Sequence, residues 1–385
     1  MRKTLIILAA AAAALAFTSC GKDLGEAGTK DDAAFKAIAE TVLNKTIYPT
    51  YSALASKTEE LEGALAALKA SKTDAGVKAA ADVFLEARAQ WELSEAFLFG
   101  AASDFGIDPH IDSWPLDEDA FGRLMQSPVM LAALDGEDGA VYAGENLGNA
   151  LLGFHGIEYI LFKDGQPKKA AQISDNELIY AVAVSGDLLN RTAQLDAAWR
   201  GEAAGERLAY VNEELELPTT VGGGDAFYGE NLLGAGKAGS TYRSWTHAMQ
   251  SILQGCADIA DEVGASKIGK AYYGTSEEDV NYIESPYSYN SITDFFDNIT
   301  SVENIYYGGP KANRDEAHSL HTYMAKNHKA QDDAVVKALD GALSAVKGMK
   351  APFVLNIKDA SNLAAIEAVA SLREALDEAI TAIAQ

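Results

Sequence analysis

The chain has 385 residues, with 56 acidic and 31 basic side chains, and a formal net charge of −25 at neutral pH. Such a surface repels nucleic acid, anionic lipid and anionic substrates, and it attracts cations without specificity. Only Cys20 and Cys256 are cysteines, so no disulfide framework is expected, and the length is ample for two domains with their own cores.

The first residues are typical of a bacterial export signal. A short positive region precedes the apolar run Leu5 to Phe17, which is shorter than a membrane-spanning helix. The stretch FTSC, ending at Cys20, resembles a lipobox, in which the cysteine becomes the lipidated first residue of the mature chain. We therefore predict a lipoprotein signal peptide at residues 1–19, a polar tether at 20–30 and attachment to the outer membrane through Cys20. A secretory signal with a chance cysteine is the alternative.

From residue 31 onward, apolar residues recur at helical spacing, and no set of alternating residues predicts a sheet. The predicted helices span about 31–70 (kinked at Pro49), 74–99, 117–128, 144–164, 174–200, 238–263, 288–306, 313–349 and 359–384. We predict an all-α fold of two packed helical bundles, at 31–211 and 238–385. A loop at 212–237 connects them, and a short hairpin there is the most sheet that we expect.

Two apolar segments carry polar residues at matching positions. WELSEAFLFG and FHGIEYILFK align without gaps, so that Glu92 and Glu95 match His155 and Glu158. Residues three apart share a helix face, and burying them is costly unless they bind each other or an ion. If the helices are neighbours, the four side chains could converge on iron, zinc or manganese, which accept mixed carboxylate and imidazole ligands. The alternative is a set of paired polar residues in a bundle core.

Two further segments supply candidates for the same site. DFGIDPHIDSWPLD follows the first of these segments, and its Asp112 and Trp114 could reach back over the end of that helix. YIESPYSYNSITDFFDNITSVENIYYGG is unusually polar and aromatic for a bundle helix. Its Glu284, Ser288 and Asp294 could face the first bundle across a cleft, where ligand sites commonly form.

Metalloprotease motifs are incomplete in this chain. His-Glu-x-x-His is absent, and Tyr159 stands at the last position of the inverted form His-x-x-Glu-His. His155 and Glu158 supply two ligands, one fewer than the usual three protein ligands of catalytic zinc. A zinc-dependent peptidase with Glu158 as ligand or base therefore needs a third ligand from elsewhere.

The segment GFHGIEYILF resembles the Gly-x-His-x-x-Glu signature of the imelysin-like proteins. RAQWELSEAFLFG, DSWPLD and SITDFFDNITSVENIYYGG resemble further segments of that family in the same order, and the resemblance covers about residues 33–380. It implies an all-α fold of two bundles with the signature, Gly153, His155 and Glu158, near their interface. Members of the family are bacterial envelope proteins, historically classed as metallopeptidases and often linked to iron uptake or regulation.

We therefore expect a lipid-anchored envelope protein that binds a divalent or trivalent transition metal, or a small metal-bearing ligand, between its bundles. Iron is favoured over zinc because carboxylates prefer harder ions. The expected partners are the membrane, through Cys20, and other components of iron uptake, and not nucleic acid. The zinc peptidase is the alternative, and a structural lipoprotein whose polar motif only fixes helix packing is a third hypothesis.

Overall fold

The computed structural model describes residues 30–385, so the predicted signal peptide, Cys20 and nearly all of the tether lie outside the described residues. In that part of the chain the fold is all-α, as predicted. The α-helices are α1 Asp32–Val42, α2 Tyr48–Ala70, α3 Asp74–Glu92, α4 Ala101–Asp104, α5 Ile107–Ile111, α6 Glu118–Met125, α7 Pro128–Leu134, α8 Gly139–Asn146, α9 Gly153–Leu161, α10 Asp175–Arg200, α11 Glu206–Ala209, α12 Tyr228–Leu233, α13 Trp245–Glu262, α14 Gly269–Tyr273, α15 Glu277–Val280, α16 Ser291–Tyr306, α17 Leu320–Asn327, α18 Lys329–Lys347 and α19 Ala360–Ile383.

Helix α10 shows how local signals set the ends of an element. Ser174 accepts a hydrogen bond from the backbone N–H of Glu177, whose carboxylate accepts one from the backbone N–H of Ser174. This capping box satisfies two donors that the helix start would otherwise leave free. Gly201, with a φ of 54°, follows the last residue. The prediction of a helix at 174–200 is confirmed.

The prediction of one helix at 144–164 is wrong. The chain forms α8, then a 3₁₀ turn at Asn149–Leu151, and only then α9. Gly153 has a φ of 67°, outside the helical region, so the regular helix cannot run through it. The predicted helix at 74–99 is also too long, because α3 ends at Glu92 and a 3₁₀ turn, Glu95–Phe97, follows. The backbone N–H of Ala96 donates to Ser301 of α16 instead of continuing the helical ladder.

The sheet of the described residues is a hairpin of two strands, β1 Phe162–Lys163 and β2 Gln166–Pro167, which pair antiparallel. Asp164 and Gly165 form its turn with φ values of 52° and 74°. Asp-Gly is the sequence that such a turn favours, because both residues need positive φ. The hairpin therefore lies here and not within 212–237, which instead contains short helical turns and α12.

The helices pack as two groups over one large apolar core, and a small separate cluster lies around Leu208 and Val211. In the first group α10 packs on α2, α8 and α9, and α2 packs on α3; in the second, α19 packs on α13 and α18, and α16 packs on α18. The groups meet where α16 lies against α3 and where α13 lies against the 3₁₀ turn Glu95–Phe97. None of the helices in residues 30–385 is long and apolar enough to cross a bilayer. The meeting point of the groups positions the candidate site, and the predicted bundle boundaries stay predictions.

Candidate metal-binding site

The glycine of the Gly-x-His-x-x-Glu motif permits a close approach between two backbone segments. A Cβ atom at Gly153 would lie 1.8 Å from the carbonyl oxygen of Ile111, and the φ of 67° is one that side-chain-bearing residues rarely adopt. Helix α9 can therefore start directly against the end of α5. The consequence is that His155 and Glu158 face Asp112, the residue after α5.

His155 is buried between two carboxylates. Its Nε2 lies 3.0 Å from Oδ1 of Asp112, and its Nδ1 lies 3.6 Å from Oε2 of Glu158. Burial by itself would lower the pKa of His155, but the contacts with both carboxylates outweigh burial and raise the pKa to about 9. Burial would likewise raise the pKa of Asp112, but Arg88 and His155 hold it well below its usual range. At neutral pH the imidazole is therefore a cation paired with the carboxylate of Asp112.

Glu158 connects the motif to the second group of helices. Its Oε1 accepts hydrogen bonds from the backbone N–H of Tyr287, at 3.1 Å, and from the backbone N–H and Oγ of Ser288, at 2.8 and 2.6 Å. Its Oε2 has no aligned hydrogen-bond donor among residues 30–385, and Nδ1 of His155 lies 3.6 Å from it. Ser288 thus lies in the site, as predicted from its segment, and it binds the glutamate of the motif.

Arg88 of α3 is the first residue of the site that the sequence analysis missed. Its guanidinium is fully buried and ion-pairs with Asp112, Glu284 and, at 2.5 Å, Glu92; its Nε lies 3.8 Å from Asp294. Arginine suits this position because its planar donors can bind several carboxylates at once. Its spacing of four from Glu92 on a helix was the only signal in the sequence.

Lys267 is the second missed residue, and it comes from the other group of helices. Its ammonium is fully buried and lies 3.1 Å from Glu284, 3.5 Å from Glu95 and 3.6 Å from Glu92. It also lies 5.4 Å from the centre of the Trp114 ring. Glu92 and Glu95 therefore meet a protein cation here, and their predicted pairing along one helix face does not occur because the helix ends between them.

The two remaining predicted residues border this cluster. The ring of Trp114 lies 5.9 Å from that of His155 and 5.5 Å from that of Tyr282, and its buried Nε1 has no hydrogen-bond partner in the part of the chain that the structure describes. Asp294 of α16 accepts hydrogen bonds from Ser285 and Asn290. The structure thus brings together every residue that the sequence analysis proposed for the site, except Cys20, which lies outside the described residues.

The site holds more buried carboxyl groups than buried basic groups. Three basic side chains are buried here, Arg88, Lys267 and His155. The buried carboxyl groups number six and belong to Glu92, Glu95, Asp112, Glu158, Glu284 and Asp294. Burial raises the pKa of Glu95 and Asp294 well above their usual range, and it raises the pKa of Glu284 to about 7. A buried excess of anions has to be offset by bound protons or by a bound cation.

In this cluster three buried acceptor atoms have no aligned hydrogen-bond donor among the described residues: Oε2 of Glu158, Oε2 of Glu284 and Oδ1 of Asn298, a residue of α16 whose amide N–H donates to Glu92. Oε1 of Glu92 also lacks an aligned hydrogen bond, although Arg88 neutralises it. Unpaired buried acceptors cost free energy unless water, a proton or an ion meets them. The donor set therefore fits a cation, and oxygen predominates among its possible ligand atoms.

A cleft of about 770 Å³ reaches this cluster from the protein surface. It runs between the two groups of helices, and its lining residues include Glu95, Asp108, His247, Asp258 and Glu262. None of the described residues that line it is a lysine or arginine. Burial raises the pKa of Asp108 to about 7 and also raises that of Glu262. The electrostatic character of the cleft favours a positively charged ligand.

These features define a class of protein: an all-α chain with a buried carboxylate and histidine site where two groups of packed helices meet. Within that class the chain belongs to the imelysin family, whose profile matches residues 47–379. The family and the fold predicted from the sequence are confirmed.

Relatives and solved structures extend this comparison. The chain is similar to iron-regulated protein A of Synechococcus elongatus, with 25% identity over 389 residues, covering 100% of this chain and 95% of that protein. It is also similar to a structure described as that of an iron-regulated protein A precursor from Parabacteroides distasonis, with a TM-score of 0.77 and 26% identity over 93% of this chain and 97% of that one. An imelysin-like protein from Psychrobacter arcticum has the same fold, with a TM-score of 0.58 and 15% identity over 91% of this chain and 93% of its own.

Proposed function

We propose that this protein binds a transition-metal cation, iron in preference to zinc, in the buried site between its two groups of helices. The observation that carries the proposal is the excess of buried carboxyl groups over basic groups, together with two carboxylate oxygens that have no aligned hydrogen-bond donor among the described residues, Oε2 of Glu158 and Oε2 of Glu284. An ion would add positive charge to that of Arg88, Lys267 and His155. The names of the relatives support iron as the metal.

The side chains offer a specific set of ligands. One atom each of Asp112, His155 and Glu284 lie within 4.8 Å of one another, close enough to hold one ion after small rotations. Glu158 then lies behind Nδ1 of His155, the usual place for a carboxylate that orients a metal-binding histidine. Glu92, Glu95 and Asp112 form a second such group. Two carboxylates for each histidine favour iron or manganese over softer ions.

The proposal also includes a localisation, the bacterial cell envelope. Lipid on Cys20 would hold the protein at a membrane of the bacterial envelope, most simply the outer membrane, where it could receive or pass on iron with other uptake components. The strongly acidic surface supports a cationic cargo and disfavours nucleic acid as a partner.

Metal analysis of protein purified without chelators tests the proposal. The parent, His155→Ala and His318→Ala should be compared by elemental analysis and by anaerobic titration with Fe²⁺. His318 is the control because it is exposed and pairs with Asp315 outside the site. We expect the parent and His318→Ala to bind alike, and His155→Ala to bind at least about 10- to 100-fold more weakly, the scale known for second-shell partners.

Two other outcomes would refute the proposal in different ways. Equal binding by all three proteins would mean that the acidic surface binds the metal. His155 and Glu158 would then only fix helix packing, as the structural hypothesis holds, and their contact at 3.6 Å would serve that role. A zinc-dependent cleavage of peptides that His155→Ala abolishes would instead establish the peptidase.

A further inference from the structure

Lys267 lies at a point where a bound cation would be expected. Its ammonium is within 3.6 Å of carboxylate oxygens from Glu92, Glu95 and Glu284, which come from α3, the following 3₁₀ turn and the segment after α15. The side chain is 0% exposed. Among the described residues, Glu92 and Glu95 also belong to a group whose ligand atoms could hold one ion. Lys267 and such an ion would compete for the carboxylates of Glu92 and Glu95.

The backbone around Lys267 is irregular. The residue belongs to a π-helical turn, Val263–Ile268, inserted between α13 and α14. Such turns insert an extra residue into a helix and frequently occur at functional sites. Here the turn directs a lysine into the interior between the two groups of helices. A lysine has a flexible stem and a single charged group, so it can withdraw without breaking a planar network as Arg88 would.

A route for withdrawal is present. Glu95, which pairs with Lys267, also lines the cleft of about 770 Å³, and Glu262, the residue before the π-helical turn, lines the same cleft. An ammonium that leaves the buried carboxylates can therefore meet other carboxylates nearer to solvent. The same cleft offers an incoming cation a path with no opposing lysine or arginine among its described lining residues.

We infer that Lys267 is a built-in competitor of the metal: its ammonium neutralises the carboxylates while the site is free, and it leaves them when a cation binds. This inference rests on the proposed function and adds the residue that sets the affinity. Lys267 would keep the empty site folded and allow release of the metal, because the protein supplies a replacement cation. Removing it should leave carboxylates that bind a metal more tightly.

The first test compares Mn²⁺ and Fe²⁺ binding by the parent, Lys267→Met, Lys267→Arg and Lys270→Met, using anaerobic calorimetry on the purified protein. Methionine keeps the unbranched shape of lysine without its charge. Lys270 is the matched control, because it lies three residues away and its ammonium sits 3.6 Å over the Tyr282 ring instead of among the carboxylates. Two unit charges about 4 Å apart repel strongly enough to weaken binding of the ion roughly 1000-fold. Withdrawal of the lysine relieves part of this repulsion in the parent. Lys267→Met should therefore bind the ion at least about 10-fold more tightly than the parent.

Lys267→Arg should bind more weakly than the parent, because a guanidinium keeps the competing charge and withdraws less readily from several carboxylates. Lys270→Met should bind within about threefold of the parent, because the change lies outside the carboxylate cluster. Weaker or equal binding by Lys267→Met would overturn the inference and make Lys267 a group that positions ligands. If neither the parent nor Lys267→Met binds either ion, the proposed function fails as well. A third outcome is that His155→Ala binds like the parent while Lys267→Met binds more tightly. That result would overturn the proposed ligands but would support the competition between Lys267 and the metal.

A second measurement uses the parent alone, in case Lys267→Met does not fold. Acetylation by an amine-reactive reagent, followed by mass spectrometry, reports the accessibility of each lysine. Lys267 is buried and should react slowly without metal; saturating Mn²⁺ should accelerate its acetylation several-fold and leave that of Lys270 unchanged. An unchanged or slower reaction of Lys267 would show that its ammonium stays among the carboxylates, and the inference would be wrong.

Discussion

Replacement of Gly153 by alanine should destabilise the protein severely, although it adds a single methyl group. The new Cβ would lie 1.8 Å from the carbonyl oxygen of Ile111 and 2.3 Å from its carbonyl carbon. Both are backbone atoms at the end of α5, so no side-chain rotation can relieve the overlap. Helix α9 or α5 would have to move, and with it the contact between His155 and Asp112.

The magnitude follows from two separate costs. An alanine held at a φ of 67° costs about 1–2 kcal/mol relative to its favoured conformations. Overpacking a filled interior costs about 1–3 kcal/mol more, and the contact with Ile111 is at the severe end. Together they predict a loss of at least about 3 kcal/mol, a large share of the roughly 5–15 kcal/mol that stabilises a typical protein.

Urea denaturation followed by circular dichroism measures this loss on residues 30–385. Gly341→Ala is the matched control, because Gly341 lies within α18 and no atom of the described residues is within 4 Å of its added Cβ. That change should leave stability equal or raise it by up to about 1 kcal/mol, since alanine is the better helix former. A Gly153→Ala protein within about 0.5 kcal/mol of the parent would refute the argument that this glycine permits the contact between α5 and α9.

Other predictions concern the charges of the site. The folded pKa of His155 is raised to about 9, above the unfolded value of about 6.5, so its stabilisation is complete below about pH 6.5 and is lost as the pH rises through 9. The free energy of unfolding of the parent, minus that of His155→Gln, should therefore decrease over this window, and a constant difference would contradict the paired imidazolium. Metal affinity, measured by competition titration, should rise with pH up to about 9, because His155 must lose its proton to become a ligand. A rise in affinity that is complete by pH 7 would show that His155 is not a ligand. Arg88→Met should cost about 3–5 kcal/mol in urea denaturation, because it removes a fully buried cation from Asp112 and Glu284 and leaves only His155 and Lys267 to pair with them. A loss below about 1 kcal/mol would mean that bound protons already neutralise these carboxylates.

The sequence by itself determined the class of fold and the central motif. Apolar residues at helical spacing and local caps such as that of Ser174 are sufficient for α10, because both depend on neighbours within a few positions of the chain. The spacing of His155 and Glu158 likewise placed both on one face of α9. That their surroundings are apolar was enough to predict that they are buried and must have partners.

Only the tertiary structure decided which partners they have. Arg88 and Lys267 are two of 31 basic residues, and no local pattern marks them as buried. They meet the carboxylates because α3 packs on α16 and because a π-helical turn redirects the chain before α14. The matching of Glu92 and Glu95 with His155 and Glu158 suggested four side chains around one ion, whereas the helix break after Glu92 places Glu95 on Lys267. The charge of a buried group depends on every group packed around it, and packing is a property of the whole fold, which periodicity along the chain does not encode.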